Sequence, residues 1–435
     1  MMMTRRVAAC FLALGIATTA VGVTPHLGSA RAADKVNLAV WIPDYCAPDT
    51  QNFYKTVLTP AFTKAYPGIS PSMVFVDWSV YDQKVGAAFA GGSAPDIMQT
   101  GAQYVPELVA KNQIRAIDSY LPAWGHKQDY YPGAWGNTVW QGRNYGVPYI
   151  SGVDGLIYRK SMLKAAGISH PPMTWDELFA DAVKLTKKDS KGQVTQLGFA
   201  TRIGDATTWV FQWLRLYAAA GGKLVSADGK QATIDNPSGV AAAKLFVTLF
   251  QAMTPGGVGL SSKIVAPFQA GKIAMQVQQE SISSDTLHYN PKILNDIGVT
   301  ALPAMGAQGK RIGLAFNDWL AITTQSKNPD AAWQWITFAS QPQYLSAYDR
   351  TCGAIPQLKT AASAAWITSN PIYHQFTTNV YPYSVTFPFF PHVNQMLAAI
   401  GSEIEKAAYG KETPEQAIQN GQRAATAVLS GTATH

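Results

Sequence analysis

The chain has 435 residues, enough at about 150 residues per domain for two or three folded units and too many for one small fold. With 47% hydrophobic, 11% aromatic and 14% charged residues it can build a large core, which excludes a disordered chain. Lys and Arg total 34 against 27 for Asp and Glu, and the resulting +7 is too dilute to point to a nucleic-acid partner.

The first element is a leader. Arg5 and Arg6 precede an apolar run from Val7 to Val23, followed by Gly28, Ser29, Ala30, Arg31 and Ala32. A charged head, an apolar middle and a small-x-small end predict a signal peptide over residues 1–32, cleaved after Ala32, and a periplasmic, secreted protein. The apolar run is short for a bilayer span, which needs about 20 residues. Cys10 lies inside the leader, and Arg5-Arg6 is compatible with Sec or twin-arginine export. Losing Arg5, Arg6 and Arg31 lowers the net charge from +7 to +4 and leaves two cysteines, Cys46 and Cys352. In an oxidising compartment an even count favours a disulfide, with two buried thiols as the alternative. Such a bridge would close a loop of about 300 residues, a constraint worth roughly 5 kcal/mol in the chain-entropy model.

Val36 to Ile42 reads as a first strand, Thr56 to Tyr66 as a helix, and Ser72 to Val76 as a second strand. Tyr81 to Ala90 is the next helix and Asp96 to Gln99 a short third strand. This alternation predicts α/β architecture. Later helix starts carry a capping residue: Thr174 with Glu177 at capping-box spacing, Asn236-Pro237, Asn328-Pro329, and Thr413-Pro414 with Gln416. After Asn328, Ala332, Trp335, Ile336 and Ala339 share one helical face, which assigns them to the core. No further apolar run is long enough to span a membrane.

Reaction motifs are lacking. The histidines at 26, 126, 170, 288, 374, 392 and 435 never fall at metal-ligand spacing. Gly91-Gly92-Ser93-Ala94-Pro95 fails the nucleophile elbow at its last position, and Gly256-Gly257-Val258-Gly259 reads as a flexible turn. Tyr130-Tyr131 lacks the partners of an iron site. Glycoside hydrolysis needs only two placed carboxylates, and Asp154, Glu280 and Asp318 are the acids to test.

Several segments fall in a recognisable order. They include Phe62 with Tyr66-Pro67-Gly68-Ile69, Gly91-Gly92-Ser93-Ala94-Pro95-Asp96-Ile97, and Gly142-Arg143-Asn144-Tyr145-Gly146-Val147-Pro148. Next come Leu156-Ile157-Tyr158-Arg159-Lys160 with Ala166-Gly167, and then Pro171-Pro172-Met173-Thr174-Trp175-Asp176-Glu177-Leu178. Phe268-Gln269-Ala270-Gly271-Lys272-Ile273-Ala274-Met275, Lys327-Asn328-Pro329-Asp330-Ala331-Ala332-Trp333, Gly353-Ala354-Ile355-Pro356 and Gly410-Lys411-Glu412-Thr413-Pro414-Glu415-Gln416-Ala417 complete the set. From residue 36 to near the C-terminus the chain resembles the carbohydrate-binding solute-binding proteins of ABC importers, the family that includes maltose-binding protein. It departs at Gln278-Gln279-Glu280-Ser281, where many relatives place an aromatic residue.

The resemblance implies a two-lobed α/β periplasmic-binding-protein fold with a central ligand cleft and hinge crossovers near Ser151 and Phe316. On that basis the first lobe comprises 33–150 and 318–365, and the second 151–317 and 366–435. It implies a binding protein, not an enzyme, without cofactor or metal. It would be a monomer that captures a mono- or oligosaccharide or polyol and delivers it to an ABC permease, with no nucleic-acid role. A charged solute such as a glycerol phosphate ester is the alternative, a secreted glycosidase a weaker one. By resemblance and strand-end position the ligand contacts from the first lobe are Asp44, Tyr45, Trp78, Gln103 and Tyr104. Asp154, Trp209, Gln278, Glu280, Asn317, Asp318, Trp319, Arg350, Gly353 and Phe387 (or Phe389) complete the set. Trp78, Tyr104 and above all Trp319 are expected to stack on sugar faces, and the planar polar groups to bond hydroxyls. Trp41 and Trp213 read as core.

Overall fold

The computed structural model describes residues 35–431, apart from 45, 47, 202, 203, 227, 228, 254–265, 361, 362, 387 and 388. The expected leader, the glycine turn at 256–259, Tyr45 and Phe387 therefore lie outside the described residues.

Among the described residues twelve strands form from the β-rich runs: β1 (Val36–Pro43), β2 (Ile69–Val76), β3 (Ile97–Gly101), β4 (Val139–Trp140), β5 (Arg143–Asn144) and β6 (Val147–Arg159). They continue with β7 (Lys187–Lys188), β8 (Val194–Ala200), β9 (Ile273–Gln278), β10 (Ile297–Thr300), β11 (Gly313–Ile322) and β12 (Ser384–Thr386). Ten make one mixed sheet in the order β2-β1-β3-β11-β6-β9-β8-β7, with β10 on β6 and β12 on β11; β4 and β5 pair apart. The β2-β1-β3 end is parallel, whereas β11 runs antiparallel to both β3 and β6.

The two longest strands each serve two cores. In β6, Val147, Tyr149 and Ile150 pack in one buried cluster with Leu38, Val40, Leu320 and Trp335, while Val153, Leu156 and Ile157 pack in another with Trp209, Trp213, Phe246 and Ile400. In β11 the change comes between Ala315 and Trp319. Ser151–Asn317 and Gly152–Phe316 are the paired positions where both strands pass from one core to the other. A third cluster, around Tyr81, Met98, Val105 and Trp319, covers the opposite face of the β1-β3-β11 end.

Helix chemistry follows the sequence with two amendments. Thr413 and Gln416 form the full capping box, and Thr174 accepts from Glu177 N. The Glu177 carboxylate, however, takes the Met173 N–H at 2.7 Å instead of reaching Thr174 N, and the Asn328 side chain makes no capping bond. The first helical run also begins earlier than expected, as Asp49–Phe53, a π turn at Tyr54–Leu58 and Thr59–Ala65 in succession. The extra turns bring Thr50, Phe53 and Tyr54 against the helix Pro342–Cys352.

Cys46 and Cys352 are joined in a disulfide with Cα atoms 5.3 Å apart. Among the described residues no helix is long and apolar enough to cross a membrane.

Candidate functional site

The C-terminal ends of β1 and β3, with the facing part of β11, bring a row of polar groups together. Asp44 follows β1, its N–H bonded to Val76 O at 2.9 Å. Its Oδ2 accepts from Gln51 Nε2 at 2.7 Å, whereas Oδ1 is buried with no partner. Asp318 stands opposite Gly101 across β11 and β3. Gln99 donates to Asp318 Oδ2 at 3.1 Å and accepts from the Tyr348 hydroxyl at 3.1 Å, so its amide is oriented from both ends. Gly101 has no Cβ because the Gln103 carboxamide occupies that space. Trp78 stacks on Tyr81 (5.4 Å, 23°) and meets Tyr104 edge-on at 6.0 Å, both Trp78 and Tyr104 half-buried. Asp44, Trp78, Gln103, Tyr104 and Asp318 thus sit at one end of the sheet. There, acceptors and donors with fixed orientation adjoin an aromatic pair.

Other candidates are placed differently. Trp319 is 0% exposed, its indole pressed against the Cα of Gly146, in a strand covered on both faces. It is a core residue and not an available stacking face. Trp209 is equally buried, set edge-on to Phe246, Phe250 and Tyr409, and its Nε1 donates to Gly204 O at 3.1 Å. Asp154 is buried in an ion pair with Arg215 at 2.8 Å, so its charge is already answered. Glu280 is 1% exposed; its oxygens accept from Val153 N and from the Tyr381 hydroxyl at 2.8 Å. Burial pushes this carboxyl up to about 7 despite those donors, with Asp154 adding a smaller push. Neither Asp154 nor Glu280 offers a free carboxylate to a glycosidic bond.

Gln278 and Asn317 are half-buried, Gln278 at the end of β9 opposite Gly155 and Asn317 opposite Ser151. Arg350 is exposed, with its guanidinium 5.5 Å over the Trp366 ring. Gly353 caps the helix Pro342–Cys352 at φ +65°, where a side chain would also meet Ser284 and Ser281. Reading the sequence missed Gln51, Gln99, Tyr348 and Trp366. A signal existed for Gln99, a lone amide in the wholly buried strand Ile97–Gly101, but none for Trp366. Among the described residues, no three His, Cys, Asp or Glu side chains are grouped to hold a metal ion.

A family model described as bacterial extracellular solute-binding protein matches residues 47–345. The chain belongs to this family. It is a family of solute-binding proteins and not of enzymes. A binding protein of Brucella abortus is 24% identical over 411 residues, 93% of this chain and 96% of its own length. Two solved structures share the fold. An ABC transporter solute-binding protein from Thermotoga lettingae, bound to tagatose, is 22% identical with a TM-score of 0.76 over 91% of this chain and 100% of that one. The CpMnBP1 protein with mannotriose bound is 25% identical with a TM-score of 0.77 over 90% and 100%. This solute-binding protein has the two-lobed α/β fold.

Proposed function

We propose that this protein is the capture component of an ABC sugar importer, holding a neutral mono- or oligosaccharide or a polyol between its lobes and passing it to a membrane permease. The observation that carries this reading is the polar row at the sheet end. Gln51 and Gln99 hold the Asp44 and Asp318 carboxylates, one Asp44 oxygen lacks a partner, and the Trp78–Tyr104 pair lies alongside. A sugar offers hydroxyl donors for the first and C–H faces for the second. Relatives of the same fold that hold tagatose and mannotriose support the ligand class. A glycerol phosphate ester would need cations, and Arg350 already covers Trp366.

The remaining assignments form part of the same proposal. Residues 1–32 are a leader, and sequencing the exported protein would find Ala33 at its start. The lobes divide as 33–150 with 318–365 and 151–317 with 366–435, a split that the buried clusters support except at Ile355, which packs with the second core. Ligand contacts include Asp44, Tyr45, Trp78, Gln103, Tyr104, Gln278, Asn317, Asp318, Arg350, Gly353 and Phe387. The protein acts as a monomer and returns its ligand unaltered.

Titration calorimetry against a panel of monosaccharides, oligosaccharides and polyols tests the reading. Stoichiometric heat with at least one member, and that member recovered intact, is the expected result. No heat and no thermal shift with any, or a cleaved product, would overturn it.

A further inference from the structure

Three adjacent strands end at one level and on one face of the sheet. In β1, Leu38, Val40 and Ile42 share a buried cluster, so strand alternation puts Asp44 on their side. The same alternation runs through Ile97, Gln99 and Gly101 in β3 and through Ile322, Leu320 and Asp318 in β11. β1 lies parallel to β3 with Trp41 beside Met98, which brings Asp44 level with Gly101 three residues on, and Asp318 pairs with Gly101 from the other side. The two acids therefore flank a glycine, each about one strand spacing, ~4.8 Å, from it.

The space over that glycine is filled. Were Gly101 to carry a Cβ, the three nearest atoms would all belong to the Gln103 carboxamide, closer than a real Cβ comes. The 3-10 turn Ala102–Tyr104 starts directly after β3 and folds Gln103 back over the strand end. Gly101 itself sits at φ −74° and ψ 153°, extended backbone open to any residue, so its own conformation does not call for glycine. What the missing Cβ provides is a seat for the amide. The flanking acids are held from outside the row, Asp44 by Gln51 at 2.7 Å and Asp318 by Gln99 at 3.1 Å. Carboxylate, carboxamide and carboxylate thus stand in a line.

We propose that Gly101 is a positioning residue of the capture site: by carrying no Cβ it seats the Gln103 carboxamide between Asp44 and Asp318, and so adds a donor to a row that otherwise offers a sugar only acceptors. The proposal rests on the sugar-capture reading and deepens it. A sugar hydroxyl both donates and accepts, whereas ring and glycosidic oxygens only accept, and ionised carboxylates cannot serve them. An amide fixed between the acids meets that need with its N–H groups and keeps its carbonyl for a hydroxyl. Alanine at 101 would push the amide out of the row and leave both acids as they are.

Two measurements test this. The first needs no ligand: the side-chain amide resonances of Gln103, assigned by their loss in Gln103→Ala, should stand apart from those of exposed glutamines in the wild type and move toward them in Gly101→Ala. Resonances that Gly101→Ala leaves unchanged overturn the proposal. The second is calorimetry with glucose, maltotriose and sorbitol. For whichever of these the wild type takes up, Gly101→Ala and Gln103→Ala should each weaken binding about tenfold, and the double variant no further, because both remove one contact. Losses that add, as independent structural damage would produce, or either single variant binding as the wild type does, overturn the proposal. If Gly101→Ala alone fails to fold, the double variant decides, since the collision is gone: it should fold and bind as Gln103→Ala does, and its failure to fold overturns the proposal. Uptake of none of the three probes removes the sugar reading and with it the role given to the seat, an outcome that the resonances separate from failure of the seat itself.

Discussion

At the scale of single residues, the contrast between Asp44 and Trp319 separates binding from stability. Asp44 keeps one buried oxygen without a partner at the mouth of β1, and a hydrogen bond to a charged group is worth about 1.5–3 kcal/mol. Asp44→Ala should therefore weaken ligand binding about tenfold or more, measured by calorimetry, while the urea midpoint changes little. Trp319→Ala should do the reverse first: a buried Trp truncation costs about 3–5 kcal/mol of stability, measured by chemical denaturation. The sequence -Asn317-Asp318-Trp319-Leu320- does not show where the strand stops being half-covered, since an alternating pattern cannot report a second layer. From Trp319 onward β11 is buried on both faces, Trp319 and Ala321 in one cluster and Leu320 and Ile322 in the other. Trp209 carried a better warning. Its helix Ala206–Ala219 is buried nearly all round, as apolar residues on every face imply.

At the scale of elements, the disulfide ties the β1–helix connection that carries Asp44 to the C-terminal end of the helix that carries Gly353. Its partners are 306 residues apart in sequence, so the chain-entropy model allows as much as roughly 5 kcal/mol. The double variant Cys46→Ser with Cys352→Ser should lose several kcal/mol in denaturant titrations. If these segments flank the proposed ligand site, it should also bind ligand more weakly at temperatures where it remains folded, because both loosen together. Unchanged affinity would separate the bridge from the site. Element boundaries were legible where local chemistry decides them, as at Tyr81–Ala90, whose ends match the expectation, and at the Thr413 capping box. They were not legible at Asp49–Leu58, where contact with a helix some 300 residues onward sets the start of the run.

At the scale of the whole molecule, β6 and β11 belong to both cores, so neither core can lose its strands without cost to the other. Thermal unfolding should accordingly be one transition, with calorimetric and van't Hoff enthalpies in agreement. Separate melting of the Trp124–Trp135–Trp333 cluster and the Trp209–Trp213 region would refute that coupling. The global fold was readable because its motifs fall in order along nearly the whole chain. The candidate site was readable only in part, because the partners of Asp44 and Asp318 come from a helix and a neighbouring strand that no spacing rule connects.

The central place of β11 also sets a timetable for biosynthesis. A ribosome that has released only the first 312 residues has not yet supplied the strand that lies between β3 and β6. Neither half can complete its sheet before that moment, and the bridge must wait about forty residues more. The nascent polypeptide consequently spends most of its synthesis without a finished sheet, open to chaperones.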